Sequence, residues 1–287
     1  MIVELVSEQV LVTLVSIYKA LYALILPGLF FVALALILKR REAIAAAGKA
    51  RAELSINLWI YILGATLFLP LSMLVMVSLR AFIQWTSPFV LPQGIWDAMP
   101  DLAVLFAVIF VGDLIGYCRH RFEHTPLLWP AHAIHHSDTQ MSWLTLVRFH
   151  PVNGWTTTLI DTLVLTLFGF PAWAMVANDL FRHYYGYFIH ADVPWTYGPF
   201  GKVFVSPAMH QWHHARDVKG SGSNFATVFA VFDRALGTYH VPGPCTVPLG
   251  VREDIGPGVR DQLLSPFRAW SARIAATFST RGKMPAG

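Results

Sequence analysis

Long apolar runs, separated by short polar connections, dominate the pattern of this chain. Residues 20–38 and 55–79 contain no charged side chain, and residues 102–118 contain only one, Asp113. About twenty consecutive apolar residues are enough for a helix to cross a bilayer. The pattern therefore predicts three membrane helices, with a short basic connection over residues 39–55 between the first two.

Two further stretches have a weaker apolar pattern. Residues 155–189 are largely apolar but are interrupted by Phe-Gly-Phe-Pro at 168–171, which predicts a helical hairpin with its tip at that break. Residues 259–278 alternate arginine with leucine, phenylalanine, tryptophan and isoleucine, as in an amphipathic helix that lies on a membrane surface. We therefore predict an all-α integral membrane bundle of about four membrane helices or hairpin arms.

The composition supports the membrane class. Hydrophobic residues make up 55% of the chain and charged residues only 13%, with a mean hydropathy of +0.51. A soluble domain carries about 25% charged residues. The pI of about 9.1 invites a nucleic-acid partner, but the basic residues flank apolar runs instead of forming a soluble basic stripe. We therefore expect no nucleic acid, and expect the basic residues to face an anionic membrane surface.

The distribution of basic residues predicts the orientation. Lys and Arg concentrate in the cytoplasmic loops of membrane proteins. If the connection at 39–55 is cytoplasmic, alternating spans place all but Lys19 and Arg80 of the 21 Lys and Arg residues on the cytoplasmic side. The third span then delivers the chain that follows it to the cytoplasmic face.

Three groups of histidines begin at the end of the third predicted span. Their spacings are His-x3-His, His-x2-His-His and again His-x2-His-His. The residues are His120, His124, His132, His135, His136, His210, His213 and His214. Residues three and four apart share one face of a helix, so each group presents two or three imidazoles in one direction. This arrangement is typical of a metal site, here within a histidine-rich helical cap on the cytoplasmic side.

The number of histidines bears on the number of metals. Imidazole suits zinc, copper, iron and nickel. A single tetrahedral zinc needs only four ligands, so eight candidates imply two metals, or one metal with several bystanders. Spacing alone leaves open a hydrolytic zinc centre and an oxygen-activating di-iron centre.

One acid lies on the same helical stripe as the first histidine group. Asp113, Tyr117, His120 and His124 follow a 4-3-4 spacing. An acid inside an apolar helix is costly unless it has a partner. We expect the Asp113 carboxylate to hold a ligand imidazole by its other N–H. The alternative is a buried acid that caps or hinges a segment.

The histidine groups come with further short motifs. The chain reads HRFEH at 120–124, HAIHHSD at 132–138, RFHP at 148–151, FIHAD at 188–192, MHQWHH at 209–214 and FDRALGTYH at 232–240. In this order and combination, residues 105–243 resemble the fatty acid hydroxylase/sterol desaturase superfamily, which is known by its HX3H, HX2HH and HX2HH motifs. The first 100 residues match only as generic membrane helices.

The resemblance implies a membrane-embedded, non-haem di-iron enzyme that uses O₂ and two electrons to hydroxylate or desaturate a lipid. It carries the role of iron ligand over to the eight histidines of the three groups, and to His190 of FIHAD as a ninth. Some relatives have another histidine four residues before that position, where this chain has Gly186. His183 and His150 are the candidates to substitute for it.

Neighbours of the histidine motifs are candidates to support the ligands. They are Asp113, Tyr117, Asp138, Arg148, His150, His183, Asp192, Asn224 and Asp233. Arg148 would anchor a polar lipid headgroup or pair with an acid. The resemblance implies two iron ions as cofactor, with zinc as a substitute, and no catalytic residue separate from the metal ligands.

The expected partners are a lipid substrate, the membrane and a separate electron donor. The sequence has no GxGxxG motif after a strand, no cysteine set for an iron–sulfur cluster and no fused haem-binding domain. We therefore expect electrons from a chain of the ferredoxin or reductase type. The RFHP motif and the compact size resemble bacterial members, so we expect a bacterial inner-membrane protein with its site on the cytoplasmic side.

We divide the chain into N-terminal membrane helices over residues 1–100, a fatty acid hydroxylase-like catalytic domain over 101–250 and a polar, amphipathic tail over 251–287. The alternatives are a lipid or sterol desaturase on the same site, a zinc-bound non-oxidative member, a haem-binding membrane cytochrome and a metal transporter. Haem would leave most of the clustered histidines unexplained, and transporters place their ligands near the middle of the bilayer.

Overall fold

The computed structural model describes residues 2–216 and 222–281, and over these residues it is helical, with two isolated bridges and no strand. The α-helices are α1 Ile2–Ala23, α2 Ile25–Lys39, α3 Glu42–Lys49, α4 Arg51–Leu63, α5 Leu69–Thr86, α6 Gly94–Asp97, α7 Asp101–Glu123, α8 Trp129–His136, α9 Pro151–Leu167, α10 Ala172–His190, α11 Pro207–His213, α12 Val231–Ala235 and α13 Val259–Arg281. Two short 3₁₀ segments, Trp143–Val147 and Gly198–Lys202, lie between them.

Within the part of the chain that the structure describes, three helical segments are long and apolar enough to cross a membrane. They are Val10–Lys39, Arg51–Thr86 and Asp101–Glu123, formed by α1 with α2, by α4 with α5, and by α7. The prediction of an all-α membrane protein is thus confirmed. Each segment extends beyond its predicted apolar run, because a Lys or Arg at the end of the run leaves the helix intact and reaches along it towards water.

The second segment contains one irregular turn. Gly64–Phe68 form a π-helical turn between α4 and α5 that ends two residues before Pro70. Proline has no N–H to donate to the carbonyl four residues earlier, and its ring crowds the preceding turn. Local widening of the helix relieves that crowding, so the segment continues as one unit.

Helices α9 and α10 form the predicted hairpin. Gly169 at its tip has φ +70°, a left-handed conformation that costs glycine little. Helix α9 packs along α5 and α7, and α10 packs along α7. Gly154 on α9 lies so close to Phe68 that a Cβ at this position would be 2.5 Å from the ring. The hairpin therefore packs tightly on the spans and returns the chain to the cap, where α10 ends at His190.

The main core lies between α7, the hairpin and the cap. Val104 and Val108 of α7 are buried in one cluster with Leu165 of α9, Met175 of α10 and Met209 of α11. Many large apolar side chains of α1, α2, α4 and α5 are instead exposed, as expected where lipid is the neighbour. The helix ends that carry the histidines thus lie beside the largest cluster of buried apolar residues in the described chain.

The C-terminal segment is packed onto the rest of the protein. Helix α13 contacts α8 and α4, and Gln262 on it is almost completely buried. Residues 282–287, the end of the predicted amphipathic tail, lie outside the described residues. The predicted division of the chain at residues 100 and 250 stays a prediction.

Candidate metal centre

Nine histidines converge at the ends of α7, α8, α10 and α11. They form a five-histidine group (His120, His124, His132, His136 and His213) and a four-histidine group (His135, His190, His210 and His214). Within each group, one ring nitrogen from each residue lies within 4.8 Å of the others. The structure brings together all nine histidines suggested by the sequence, and no acid or cysteine of the described chain joins either group.

Each His-x2-His-His motif is shared between the two groups. His132 and His136, four residues apart on α8, belong to the five-histidine group, whereas the third histidine of that motif belongs to the other. The α11 motif is reversed: His210 and His214 belong to the four-histidine group, and the third histidine to the five-histidine group. Successive helical residues are about 100° apart around the axis, so adjacent histidines diverge into separate groups.

The distances between ring nitrogens match the edges of a coordination polyhedron. In the five-histidine group, Nε2 of His120 lies 3.0 Å from Nε2 of His132. In the four-histidine group, Nε2 of His190 lies 3.2 Å from that of His135 and 2.9 Å from that of His210. Metal–nitrogen bonds of about 2.0–2.1 Å separate two ligand atoms by about 3.0 Å at a right angle and about 3.4 Å at a tetrahedral angle. Both donor sets fit a metal ion.

The imidazoles of the cap are held in the neutral form. Burial, followed by neighbouring imidazoles, lowers the pKa of His132, His136, His210 and His214 well below the usual value. Burial also lowers the pKa of His213 to about 4. A neutral imidazole offers a lone pair to a metal, whereas an imidazolium has none to offer. The protonation state that metal binding requires is therefore built into the fold.

Several buried ring nitrogens have no hydrogen-bond partner among the described residues. They include Nε2 of His124 and both ring nitrogens of His214. Leaving a buried polar atom unpaired costs about 1–3 kcal/mol. A metal ion in each group would give a partner to Nε2 of His124 and to one of the two ring nitrogens of His214, which is independent support for the fit.

Backbone carbonyls orient three of the rings. Nδ1 of His120 lies 2.8 Å from the carbonyl oxygen of Phe225, and Nδ1 of His213 lies 2.7 Å from that of Ser223. Nδ1 of His190 lies 2.7 Å from the carbonyl oxygen one turn earlier on α10. A carbonyl can only accept, so each Nδ1 donates its proton and each Nε2 keeps its lone pair for a metal.

Glu123 is a site residue that the sequence reading missed. Its buried carboxylate lies 3.5 Å from Nδ1 of His132, and accepts hydrogen bonds from Arg119 at 3.2 Å and from Thr156 at 2.5 Å. A carboxylate beside the outer nitrogen of a ligand orients the ring and raises its basicity. The signal was present in the HRFEH motif, where the acid directly precedes His124.

Asp113 contacts no imidazole, contrary to our expectation. Its carboxylate is fully buried and accepts hydrogen bonds from the backbone N–H groups of Thr227, Val228 and Phe229 at 3.0, 3.0 and 2.7 Å. The guanidinium of Arg182 is 3.6 Å away. Asp113 lies nearly two turns before the first histidine, so its carboxylate contacts the loop between α11 and α12 instead of an imidazole. The alternative expectation, a buried capping acid, describes this contact.

Asp233 and Asn224 act on the same loop. The Asp233 carboxylate accepts hydrogen bonds from the backbone N–H groups of Phe225 and Ala226 at 2.8 and 3.0 Å. The side-chain amide of Asn224 donates to the carbonyl oxygen of Met209 at 2.9 Å. This loop supplies the carbonyls that orient two rings of the five-histidine group. These polar residues therefore support the histidines through the backbone.

Tyr117 and Asp138 are bound to residues outside the two groups. The Tyr117 hydroxyl lies 2.9 Å from the hydroxyl of Thr238. The Asp138 carboxylate accepts from Asn57 at 2.9 Å and from Thr145 at 2.7 Å. The expected contact between Asp138 and a ligand is absent from the described hydrogen bonds, because the chain turns after α8 and points this acid towards α4.

Arg148 and Asp192 also have partners away from the imidazoles. Arg148 pairs with Glu53 at 2.5 Å and donates to Gln262 at 3.2 Å, so pairing with an acid is the role that the contacts favour. Asp192 is exposed and forms an ion pair with Lys39. Asp192 follows the end of α10, where the chain has turned outward, and this explains why the expected support for a ligand is not seen.

Neither His150 nor His183 joins a group, so neither substitutes for a tenth ligand. Nδ1 of His150 accepts from the backbone N–H of Val152, which caps α9, and its Nε2 lies 3.2 Å from the carbonyl oxygen of Leu263. The ring of His183 packs edge-on against Tyr187 at 4.5 Å between centroids. Both side chains have structural contacts instead.

Two cavities approach the histidine groups from different sides. A cleft of about 600 Å³ is lined by His124, His136 and His213 of the five-histidine group. A second cavity of about 340 Å³ lies beside α2 and α3 and reaches Ala191 and Gln211, which directly follow two members of the four-histidine group in sequence. Of these two cavities, it is the first that opens directly onto a histidine group, the one with five members.

Known proteins share the histidine-bearing region. Residues 105–238 match the family model for fatty acid hydroxylase. The chain is 29% identical over 173 residues to ornithine lipid hydroxylase OlsE of Rhizobium tropici, which covers 60% of this chain and 52% of that protein. It is 27% identical over 208 residues to alkylglycerol monooxygenase of Danio rerio, which covers 72% of this chain and 43% of that protein.

A desaturase matches as well. The chain is 30% identical over 131 residues to Delta(7)-sterol 5(6)-desaturase ERG3A of Gibberella zeae, which covers 45% of this chain and 36% of that protein. The chain spans about half the length of the first of these relatives and less of the others. No solved structure matches significantly. The matched region contains all nine clustered histidines, so this part of the chain resembles fatty acid hydroxylases, and the relatives above support its similarity to the fatty acid hydroxylase/sterol desaturase superfamily.

Proposed function

We propose that this protein is a membrane-bound oxidoreductase, a non-haem di-iron oxygenase that hydroxylates an unactivated C–H bond of a lipid. The observation that carries the proposal is the convergence of nine imidazoles into two groups at the end of a membrane span. The names of the relatives, a lipid hydroxylase, a monooxygenase and a sterol desaturase, support oxidation of a lipid.

The two groups would hold one iron ion each, and zinc could take the same ligands. Bound iron would supply the electron transfer and oxygen chemistry that an unactivated C–H bond requires. The overall reaction is R–H + O₂ + 2e⁻ + 2H⁺ → R–OH + H₂O. The chain's own contribution is to keep the imidazoles neutral, to orient His120, His213 and His190 through carbonyls, and to enclose the centre in buried side chains.

The electrons would come from a separate chain of the ferredoxin or reductase type. The positive-inside pattern supports a cytoplasmic position for the cap, in a bacterial inner membrane. Oxidation of lipid by the purified protein without any added donor would contradict the proposed donor. A reporter enzyme that works only outside the cytoplasm can be fused after α13. Activity of that reporter would contradict the cytoplasmic orientation of the cap.

The decisive experiment is to measure metal by plasma mass spectrometry in the detergent-purified protein and in a His135→Ala variant. We expect about two irons per chain, with loss of about one in the variant, because His135 belongs to the four-histidine group. Two zincs from cells that were supplied with iron would contradict the oxygenase and favour a non-oxidative family member. Absence of any bound metal would contradict the metal centre itself, and a Soret absorption band would favour the haem alternative.

Desaturation is the second candidate, because the sterol desaturase relative matches the same histidine-bearing region. The two reactions begin with removal of the same kind of hydrogen and differ in the product. Mass spectrometry of lipids from cells with and without the gene separates them: hydroxylation adds one oxygen, and desaturation removes two hydrogens. We expect the added oxygen.

A further inference from the structure

The cleft beside the five-histidine group is surrounded by five separate segments of the chain. Its floor includes the imidazoles of His124, His136 and His213, so whatever enters it meets the candidate metal centre directly. Its walls come from the end of α7, from α8, from the chain after α11, from the loop before α13 and from α13 itself. Five separate segments thus meet around one opening.

Four arginines line this opening, each from a different segment. Arg121 is on α7, Arg216 follows α11, Arg252 is in the loop before α13 and Arg273 is on α13. We call the cavity that they line the arginine cleft. One acid, Glu253, is also present, and it accepts a hydrogen bond from the indole of Trp129 at 2.8 Å. Guanidinium groups match the geometry of phosphate and carboxylate oxygens. The cleft is therefore suited to an anionic group.

Helix α13 places this cleft beside the membrane. Leu264, Phe267, Ile274 and Phe278 are exposed and form one stripe along the helix, with spacings of three, seven and four. Such a stripe on a helix rich in arginine is typical of a helix that lies at the lipid surface. Arg273 is about 100–180° away from these residues around the helix axis, at 100° per residue.

The same helix is fixed to the rim of the cleft. The indole of Trp270 donates to the carbonyl oxygen of Leu127 at 2.8 Å, and Arg273 donates to the carbonyl oxygen of Pro126. Leu127 itself is 63% exposed, as expected beside lipid. One face of α13 therefore suits lipid while another closes the cleft, and α7, which carries Arg121, ends there as a membrane span.

We propose that the arginine cleft binds the anionic headgroup of a membrane lipid, through its phosphate or carboxylate, and holds that headgroup beside the five-histidine group. This binding site would define the class of substrate as lipids with an anionic headgroup. That such a lipid is then oxidised rests on the proposed function. The binding itself needs no turnover. A free anion from solution has the same chemistry, and the experiment separates the two sources.

The test is a calorimetric titration of the detergent-purified, metal-loaded full chain with three probes. They are dihexanoyl phosphatidylglycerol, dihexanoyl phosphatidylcholine and inorganic phosphate. We expect phosphatidylglycerol to bind roughly tenfold more tightly than either other probe, because only it offers both a net anion and acyl chains. Equal affinities for inorganic phosphate and phosphatidylglycerol would contradict the proposal of a lipid headgroup and favour a soluble anion as the ligand.

Matched variants locate the site. The R252Q/R273Q variant removes two charges from the cleft, and R260Q/R268Q removes two from α13 without touching it. We expect roughly tenfold weaker binding of phosphatidylglycerol in the first and a change below about twofold in the second. If both double variants weaken phosphatidylglycerol binding equally, the effect comes from general surface charge, and the assignment of the site to the arginine cleft is wrong. Partial recovery in R252K/R273K, with an unchanged melting temperature, separates loss of charge from loss of folding.

Two further outcomes separate this proposal from its alternatives. Suppose an acidic ferredoxin loses its binding in R252Q/R273Q while phosphatidylglycerol binding is unchanged. The cleft would then be a protein-docking site, and the headgroup proposal would fail. Headgroup binding that depends on the cleft, in a protein that oxidises no lipid, would instead leave this site standing and contradict only the proposed function.

Discussion

The five-histidine group and the four-histidine group use the same motif in opposite senses. Helix α8 gives two imidazoles to the first and one to the second, and α11 does the reverse. The remaining histidines break this symmetry. The end of α7 adds His120 and His124, four residues apart, whereas α10 adds only His190. The position four residues before His190 is Gly186, so one group has an imidazole fewer than the other.

Packing explains why this position has no side chain. A Cβ at Gly186 would lie 2.9 and 3.1 Å from the two methyl carbons of Leu146, closer than side chains approach without movement. The Gly186 carbonyl meanwhile accepts a hydrogen bond from Nδ1 of His190 at 2.7 Å. The glycine therefore allows close contact with the 3₁₀ segment Trp143–Val147 and orients the one imidazole that α10 does supply.

The two groups also differ in access. Three members of the five-histidine group line the arginine cleft, whereas no member of the four-histidine group lines either of the two cavities described above. All four members are almost completely buried. If each group holds one metal ion, we expect the five-histidine group to have an imidazole to spare and the enclosed four-histidine group to depend on each of its imidazoles.

Removing one ligand from each group in turn should give the largest effect. His190→Ala leaves three imidazoles, fewer than the four of a closed protein site, so we expect a loss of about one ion per chain. His124→Ala leaves four, and we expect its ion to remain. Plasma mass spectrometry of the two purified variants measures the difference.

His183→Ala is the matched control for these ligand variants, because it lies on the same helix as His190 and contacts Tyr187 outside both groups. We expect it to keep the full metal content. Equal loss of metal from His190→Ala and His124→Ala would show that the groups do not differ in redundancy, and the comparison would then be wrong.

Asp113→Asn should affect the five-histidine group through the backbone. The carboxylate accepts three backbone N–H groups of residues 227–229, and an amide replaces one of its oxygens with a donor. We expect a cost of about 3 kcal/mol in unfolding free energy, as for a broken buried ionic contact, with loss of one ion. Asp101→Asn, an exposed acid in the first turn of the same helix, is the control and should cost less than about 1 kcal/mol.

Simultaneous loss of both ions from Asp113→Asn, at a temperature where the variant remains folded, would contradict the assignment of this loop to one group. The assignment rests on the loop carbonyls of Phe225 and Ser223, which orient His120 and His213. No contact of this kind joins the described loop to the four-histidine group. A folded protein with one ion is therefore the expected state.

The sequence predicted the spans, the hairpin and eight of the nine clustered histidines because each leaves a local signal, whereas His190 was suggested only by the family resemblance. Apolar run length reveals a span, Phe-Gly-Phe-Pro at 168–171 reveals a tip, and repeated spacings of three and four reveal a histidine face. The division of the histidines between two groups has no such signal, since it depends on how α8 and α11 face each other. Likewise, any residue has a carbonyl, so nothing in the sequence marks Phe225 or Ser223 as a partner.

Asp113 and Glu123 show that the sequence did not identify which acid on α7 supports a histidine. Both are acids on α7, and the apolar surroundings of Asp113 drew attention to it, whereas Glu123 lies among charged residues in HRFEH. Only the packing of α9 decides between them, because it brings Asn153 and Thr156 beside His132 and Glu123. An acid is identified as a ligand support by its tertiary neighbours, which the periodicity of a single helix does not contain.

Glu123→Gln should have a smaller effect than the changes above. It keeps the size of the side chain but removes the charge beside Nδ1 of His132 and the ion pair with Arg119. Substitution of a residue that supports a metal-binding histidine typically weakens metal affinity by about 10–100-fold. We expect a loss in that range for the five-histidine group alone. Competition with a chelator of known affinity measures it. Glu42→Gln, an exposed acid at the start of α3, is the control, and equal weakening of both groups would contradict the assignment.

Asp192→Asn should have the smallest effect, although its position two residues after His190 suggested support for a ligand. The carboxylate is exposed and pairs with Lys39 at the surface, and exposed ion pairs contribute about 0–1 kcal/mol. We therefore expect unchanged metal content and a change in unfolding free energy below about 1 kcal/mol. A loss of metal comparable to that in His190→Ala would mean that the four-histidine group is connected to the surface through Asp192. The contrast between an open and an enclosed group would then have to be abandoned.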